Sequence, residues 1–211
     1  MKLLALETAY DICGAAVLVD GAVLAVREEQ VPRRHNELIG FQVAATLQEA
    51  GLEVRDLDAV AVSSGPGSYM GLRIGMSYAK GLALGGDLAV IPVPTLAVLA
   101  HGQPADLQWV AAWSHRDLFY AARRNATGLE PVQSVTGAEL EALVGQEGLL
   151  AYLPEDRKGL LSVPISETCP SAEKVGIFVL ARGLAPAADI AALVPDYFQN
   201  FQVRSPHHDD S

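Results

Sequence analysis

Hydrophobic residues in this chain come as short continuous runs separated by longer stretches of helical spacing. Residues 2 to 8, 12 to 19 and 22 to 29 are runs rich in Leu, Val and Ala that read as three successive strands. Asp20 with Gly21 makes a two-residue hairpin turn between the second and third. His35 to Ala50 repeats its apolar positions at helical spacing and stops at Gly51, a residue suited to a left-handed C-cap. The run 58 to 62 is short, ends in the apolar Val60, Ala61 and Val62 and is soon followed by the Gly65, Pro66, Gly67 turn, so it reads as a buried strand joined to the opening meander by a parallel crossover.

The stretch SSGPGSYMGLRIGMSYAKG, residues 63 to 81, follows that strand directly. Gly65, Pro66 and Gly67 break the extended run, and Ser68 is the expected N-cap of a helix reaching about Leu84. A strand, glycine turn and helix start can cradle an anion on unpaired amides, or can serve only as a tight turn. Neither GxxxxGK nor GxGxxG is present at this place. At about 100° per residue, Leu72, Met76, Ala79 and Ala83 form one stripe, and Ile74, Tyr78 and Leu82 form another. Gly71, Gly75 and Ala79, four residues apart, predict close approach of a second backbone. In the preceding helix Ile39, Val43 and Leu47 form one stripe, with Leu38, Phe41 and Ala45 on another. One stripe of each helix suits the core. The other is either buried deeper inside the same domain or needs a partner, and a helix-bundle interface would be carried by Leu38, Phe41, Ala45, Gly71, Ile74, Gly75, Tyr78 and Leu82.

A strand around Asp87 to Val93 and a short helix from Thr95 to His101 complete the first half. From Gln108 the pattern begins again, with strand-like runs 109 to 113, 117 to 123 and 131 to 135, then a helix 136 to 144. Short strands at 148 to 152 and 160 to 165 follow, then a helix 171 to 184 capped by Ser171, and an extended tail from about Pro195. The repetition predicts an α/β protein of two lobes, 1–104 and a smaller 105–211. Each lobe opens on paired strands, as in the actin and sugar-kinase architecture (the ASKHA, ribonuclease H-like fold).

Half of the 211 residues are hydrophobic, enough for a sizeable core. A formal net charge of −10 argues against a protein that holds nucleic acid by itself, because neutralising phosphates needs clustered Lys and Arg. Cys13 and Cys169 make no zinc or disulfide framework, and the five histidines include no HxxxH pair. The apolar start, MKLLALETAY, is too short for a signal peptide, and no run reaches the length of a spanning helix, which places the expected location in the cytoplasm. Nucleotide binding in a two-lobed cleft needs an acid-and-glycine hairpin in each lobe. The first turn here, Glu7 to Asp11, has acids without glycine, and the second, Ser114 to Asp117, has no Asp-Gly-Gly run. The expected cofactor is none, and no catalytic residue is nominated.

The segment LLALETAYDICGAAVLVDG, followed by RRHNELIGFQVAATLQEAGLEVRDLDAVAVSSGPGSYMGLRIGMSYAKGLAL, resembles the TsaB family, also called YeaZ, over about residues 1 to 100. The resemblance implies the actin-like fold with a degenerate nucleotide cleft. It also implies a non-catalytic scaffold for a TsaD-like catalytic subunit, working with a TsaE-like ATPase to make threonylcarbamoyl-adenosine on tRNA. Its partners would be those two proteins, a second copy of itself when alone, and tRNA only through the complex, with no membrane. Glu7, Thr8 and Ala9 stand where the family commonly has Asp-Thr-Ser, and Trp113 to Arg116 where it shows Asp-Ala-Arg. The rival readings are an actin-fold phosphotransferase or ATPase, and a glycoprotease-like peptidase.

Overall fold

A computed structural model describes residues 1–198. Strands β1 (Lys2–Glu7), β2 (Ile12–Val19), β3 (Ala22–Gln30), β4 (Ala59–Gly65) and β5 (Ala89–Pro94) form a sheet of order β3-β2-β1-β4-β5. β1 pairs antiparallel with β2 and parallel with β4, so the expected crossover is present. It is made by α1 (His35–Ala50), which ends at Gly51 with φ 67°. Asp20 and Gly21 both take positive φ, 50° and 91°, as a hairpin turn of this length requires.

β4 and β5 are joined by α2 (Tyr69–Gly86), and α3 (Thr95–Ala100) follows. The second sheet contains β6 (Trp109–His115), β7 (Leu118–Asn125), β9 (Gln133–Thr136), β10 (Leu149–Tyr152) and β11 (Ile165–Glu167), with a two-residue β8 (Gly128–Leu129) beside β7. β6 is antiparallel to β7 and parallel to β10, β9 joins the far side of β7, and β11 the far side of β10. That repeats the first sheet strand for strand, with α4 (Gly137–Val144) in the place of α1. The counterpart of α2 is reduced to a 3-10 segment, Glu155–Leu160, so the strand expected over 160 to 165 begins only at Ile165.

Both faces of the first sheet are covered, which is why its strands read as nearly unbroken apolar runs. Leu4, Leu6 and Val17 meet Ile39, Val43, Met76 and Ala83 from α1 and α2. On the opposite face, Leu3, Ala5 and Leu18 meet Val175, Phe178 and Val179 of α5 (Ala172–Arg182). This helix lies within the range expected for the second lobe, yet it packs on the first sheet. Its N-terminus is held by Glu28 of β3, whose carboxylate accepts from Ser171 Oγ at 2.8 Å and from the amides of Ala172 at 2.5 Å and Glu173 at 3.3 Å. α3 joins the two sheets, with Val98 in the first core and Leu96 and Leu99 in a core shared with Val110, Tyr120 and Tyr152. No helix among the described residues is long and apolar enough to cross a membrane.

After α5 the chain returns over the first sheet. The Ala187 amide donates to the Val90 carbonyl at 2.8 Å, and Lys80 Nζ donates to the carbonyls of Ala191 at 3.0 Å and Leu193 at 2.8 Å. The Asp196 amide then bonds the Ser64 carbonyl at 2.7 Å, and the Tyr197 ring lies 4.9 Å from that of Tyr69. The rest of the expected tail, including His207 and His208, lies outside the described residues.

Candidate functional site

The glycine turn is built around the opening hairpin. Ser68 caps α2 by accepting from the Gly71 amide at 3.3 Å, while its own amide donates to the Ala9 carbonyl at 2.5 Å. A Cβ on Gly67 would lie 2.5 Å from the Ala9 carbonyl oxygen. One on Gly71 would lie 2.1 Å from the Thr8 carbonyl oxygen, and one on Gly75 2.2 Å from Thr8 Oγ1. These three glycines form the groove into which residues 8 and 9 fit, and Thr8 locks the contact by donating its hydroxyl to the Gly71 carbonyl at 2.9 Å. Gly65, at φ 127°, leaves room for the carbonyl of Asp196, which a Cβ would meet at 2.6 Å; Pro66 beside it is buried.

The close approach expected at Gly71 and Gly75 is therefore made by the chain itself. Both residues are buried against Thr8, and neither belongs to an outer helix surface. This corrects the assignment of those two residues to a partner interface. Four-residue glycine spacing reports that a backbone comes near; it does not report whose.

Beneath the turn, Glu7 is fully enclosed. Its carboxylate accepts from Ser63 Oγ and from the Ala9 amide, each at 2.6 Å. Loss of hydration pushes its pKa up from 4.5 to about 7, against the two hydrogen bonds that favour the ionised form. Because the folded value is raised, Glu7 contributes most below pH 4.5, and that stability is lost as pH rises through 7. At about 1.4 kcal/mol per unit, a Glu7→Gln variant should be more stable than the parent by up to about 3 kcal/mol at pH 8, and by under about 1 kcal/mol at pH 5. Urea melts at the two pH values measure this. A difference independent of pH would contradict the enclosed, titrating carboxyl.

The remaining candidates lie on the outer surface of α1 and α2. Phe41 is 75% exposed, Ala45 is exposed, and Leu38, Ile74, Tyr78 and Leu82 are half-buried at the edge of the core. A Cβ on Gly40 would lie 3.8 Å from the Tyr78 hydroxyl, which places the two helices side by side. Two features escaped the sequence reading. Met70, 59% exposed, extends the Ile74, Tyr78, Leu82 ridge by one turn, and Leu84 is 80% exposed. Beside that ridge Ser77, Gly81 and Gly85 are exposed at four-residue spacing, and a Cβ on either glycine would meet nothing within 4 Å. The small residues free to admit another backbone are these.

Next to this face, a cleft of about 1220 Å³ opens between the β1–β2 turn and the β6–β7 turn. Tyr10 and Asp11 line it from one hairpin, Trp113 to His115 from the other, and Ser68 to Gly71 from the start of α2. Arg33 and Arg157 face the same space. Asp11 accepts from the Tyr152 hydroxyl at 3.4 Å, while Glu7 does not reach the cleft. No group of three or more His, Cys, Asp or Glu among the described residues could hold a metal ion.

Comparison with known proteins fits these features. The sequence profile of the family described as "TsaD: tRNA N6-adenosine threonylcarbamoyltransferase" matches residues 26–121. The tRNA threonylcarbamoyladenosine biosynthesis protein TsaB of Escherichia coli (strain K12) is 42% identical over 102 residues, which cover 48% of this chain and 44% of that protein. A tRNA N6-adenosine threonylcarbamoyltransferase of Nitratidesulfovibrio vulgaris (strain DP4) is 38% identical over 128 residues, covering 53% and 36%. The matched stretch thus spans less than half the length of either relative. The structure of YeaZ from Pseudomonas aeruginosa superposes with a TM-score of 0.76 at 23% identity, covering 93% of this chain and 99% of that one. The fold is thereby the expected two-sheet, actin-like α/β architecture.

Proposed function

We propose that the chain, whose first half is similar to TsaB proteins at 33–42% identity, is a member of that family and serves threonylcarbamoyladenosine formation on tRNA as a non-catalytic subunit. In this reading it binds and activates a TsaD-like catalytic subunit together with a TsaE-like ATPase, and pairs with a second copy when alone. The observation that carries the reading is the outer face of α1 and α2. Phe41, Met70, Ile74, Tyr78 and Leu82 present apolar surface beside Ser77, Gly81 and Gly85, where a partner helix can come close. Such a surface suits ridge-into-groove helix packing. The non-catalytic part of the proposal is supported by Glu7, whose carboxylate is turned away from the cleft and engaged by Ser63.

The test is reconstitution. The purified chain alone should neither hydrolyse ATP nor modify tRNA, and modification should appear only when both partner proteins are added. Magnesium-dependent ATP turnover by the isolated chain would favour the phosphotransferase reading instead.

A further inference from the structure

Away from the α1–α2 face and the cleft, a second cavity of about 380 Å³ lies among α3, the β7–β8 hairpin and α5. Its size falls at the lower end of the range of about 300–1,000 Å³ that small-molecule sites occupy. We propose that it binds a small organic anion, a carboxylate or phosphate monoester carrying an apolar body. The charge around it is opposite to that of the whole chain. Among 25 acidic and 15 basic residues overall, the lining includes Arg124, Arg182 and His101 and no Asp or Glu.

Neither arginine is neutralised by a carboxylate among the described residues. Arg124 is held in place by neutral groups, donating Nη1 to the carbonyls of Pro104 at 2.6 Å and Leu107 at 2.8 Å, and Nη2 to that of Gln103 at 3.2 Å. It is a half-buried cation held in place with no carboxylate partner among the described residues, so an arriving anion meets no competing acid. Arg182 lies with its guanidinium carbon 5.9 Å from the centre of the Phe178 ring, and the His101 ring meets Phe178 edge-on at 5.3 Å. Phe178, Ala97, Ala100 and Leu184 supply an apolar wall. An anionic head with an apolar or aromatic body satisfies both halves of this lining. A bare inorganic ion would leave the apolar half unused.

The site also spans the two sheets. α5 packs on the first and α3 on both, whereas the hairpin belongs to the second, where Asn125 Oδ1 fixes the turn by accepting from the amides of Thr127 and Gly128. A bound anion would tie the hairpin to α5.

The experiment is a titration of the full chain, followed by NMR or calorimetry, with phenyl phosphate, benzoate, inorganic phosphate and benzyl alcohol. Phenyl phosphate, benzoate or both should saturate, and whichever does assigns the phosphate or carboxylate head. Benzyl alcohol and inorganic phosphate should bind at least about tenfold more weakly. Arg182→Gln, at an exposed position, should weaken the ring-bearing anion about tenfold. Ala126→Glu, which places a negative charge at the exposed hairpin tip, should do the same independently. Arg55→Gln, far from the cavity, should have no effect. Absence of saturable binding by either ring-bearing anion up to about 10 mM, or binding indifferent to both Arg182→Gln and Ala126→Glu, would overturn the proposal.

Discussion

Gly75→Leu is expected to destabilise the protein severely, whereas Gly81→Leu on the same helix should leave it intact or slightly more stable. At Gly75 even a methyl would sit 2.2 Å from Thr8 Oγ1 and 3.3 Å from Val62. Thr8 cannot swing away, because it is fully buried and its hydroxyl is bonded to the Gly71 carbonyl. Overpacking by a few atoms already costs about 1–3 kcal/mol, and a whole isobutyl group in this groove should exceed about 4 kcal/mol, a large share of the 5–15 kcal/mol that holds a typical domain. At Gly81 the added side chain enters open space, and replacing a helical glycine is worth up to about 1 kcal/mol. Thermal melts of the two variants separate the cases. A Gly75→Leu protein melting like the parent would show that the β1–β2 turn is not clamped by α2.

This contrast marks where the sequence stops being informative. The Asp20–Gly21 turn, the Gly51 C-cap and the Ser68 and Ser171 N-caps could be read directly, because each depends on residues within one turn of itself. The core stripe of Leu72, Met76, Ala79 and Ala83 was equally legible from its spacing. Gly71 and Gly75 were misread, because what they make room for, Thr8, is more than sixty residues away in the chain. A still longer separation, 144 residues between Glu28 and Ala172, hid the path of α5 back to the first sheet, which depends on Leu18 and Glu28 receiving it. The enclosed state of Glu7 was likewise invisible, since its partner Ser63 belongs to another strand. The exposed glycines at 81 and 85 were within reach, as Ser77, Gly81 and Gly85 form a second four-residue series offset from Gly71, Gly75 and Ala79, but only burial distinguishes an inner glycine from an outer one.

The second large effect is expected at Phe41. Its ring is 75% exposed on α1, so Phe41→Asp should change the stability of the monomer, compared at concentrations too low for self-association, by no more than about 0.5 kcal/mol. If the α1–α2 face is the partner surface, the same substitution removes a large aromatic anchor and places an unpaired carboxylate in a desolvated contact. The loss should exceed about 2 kcal/mol, or roughly thirtyfold in affinity, both for the TsaD-like subunit and for self-association. Gly81→Leu should reproduce the loss by a different route, holding the two backbones apart while the monomer gains stability.

The most direct measurement is a calorimetric titration of the TsaD-like subunit into the parent chain and into Phe41→Asp, after matched melting curves show both to be equally folded. The parent should give a specific complex, and Phe41→Asp should give at least roughly thirtyfold weaker binding. Equal affinities for the two folded proteins would contradict the assignment of this face to the partner.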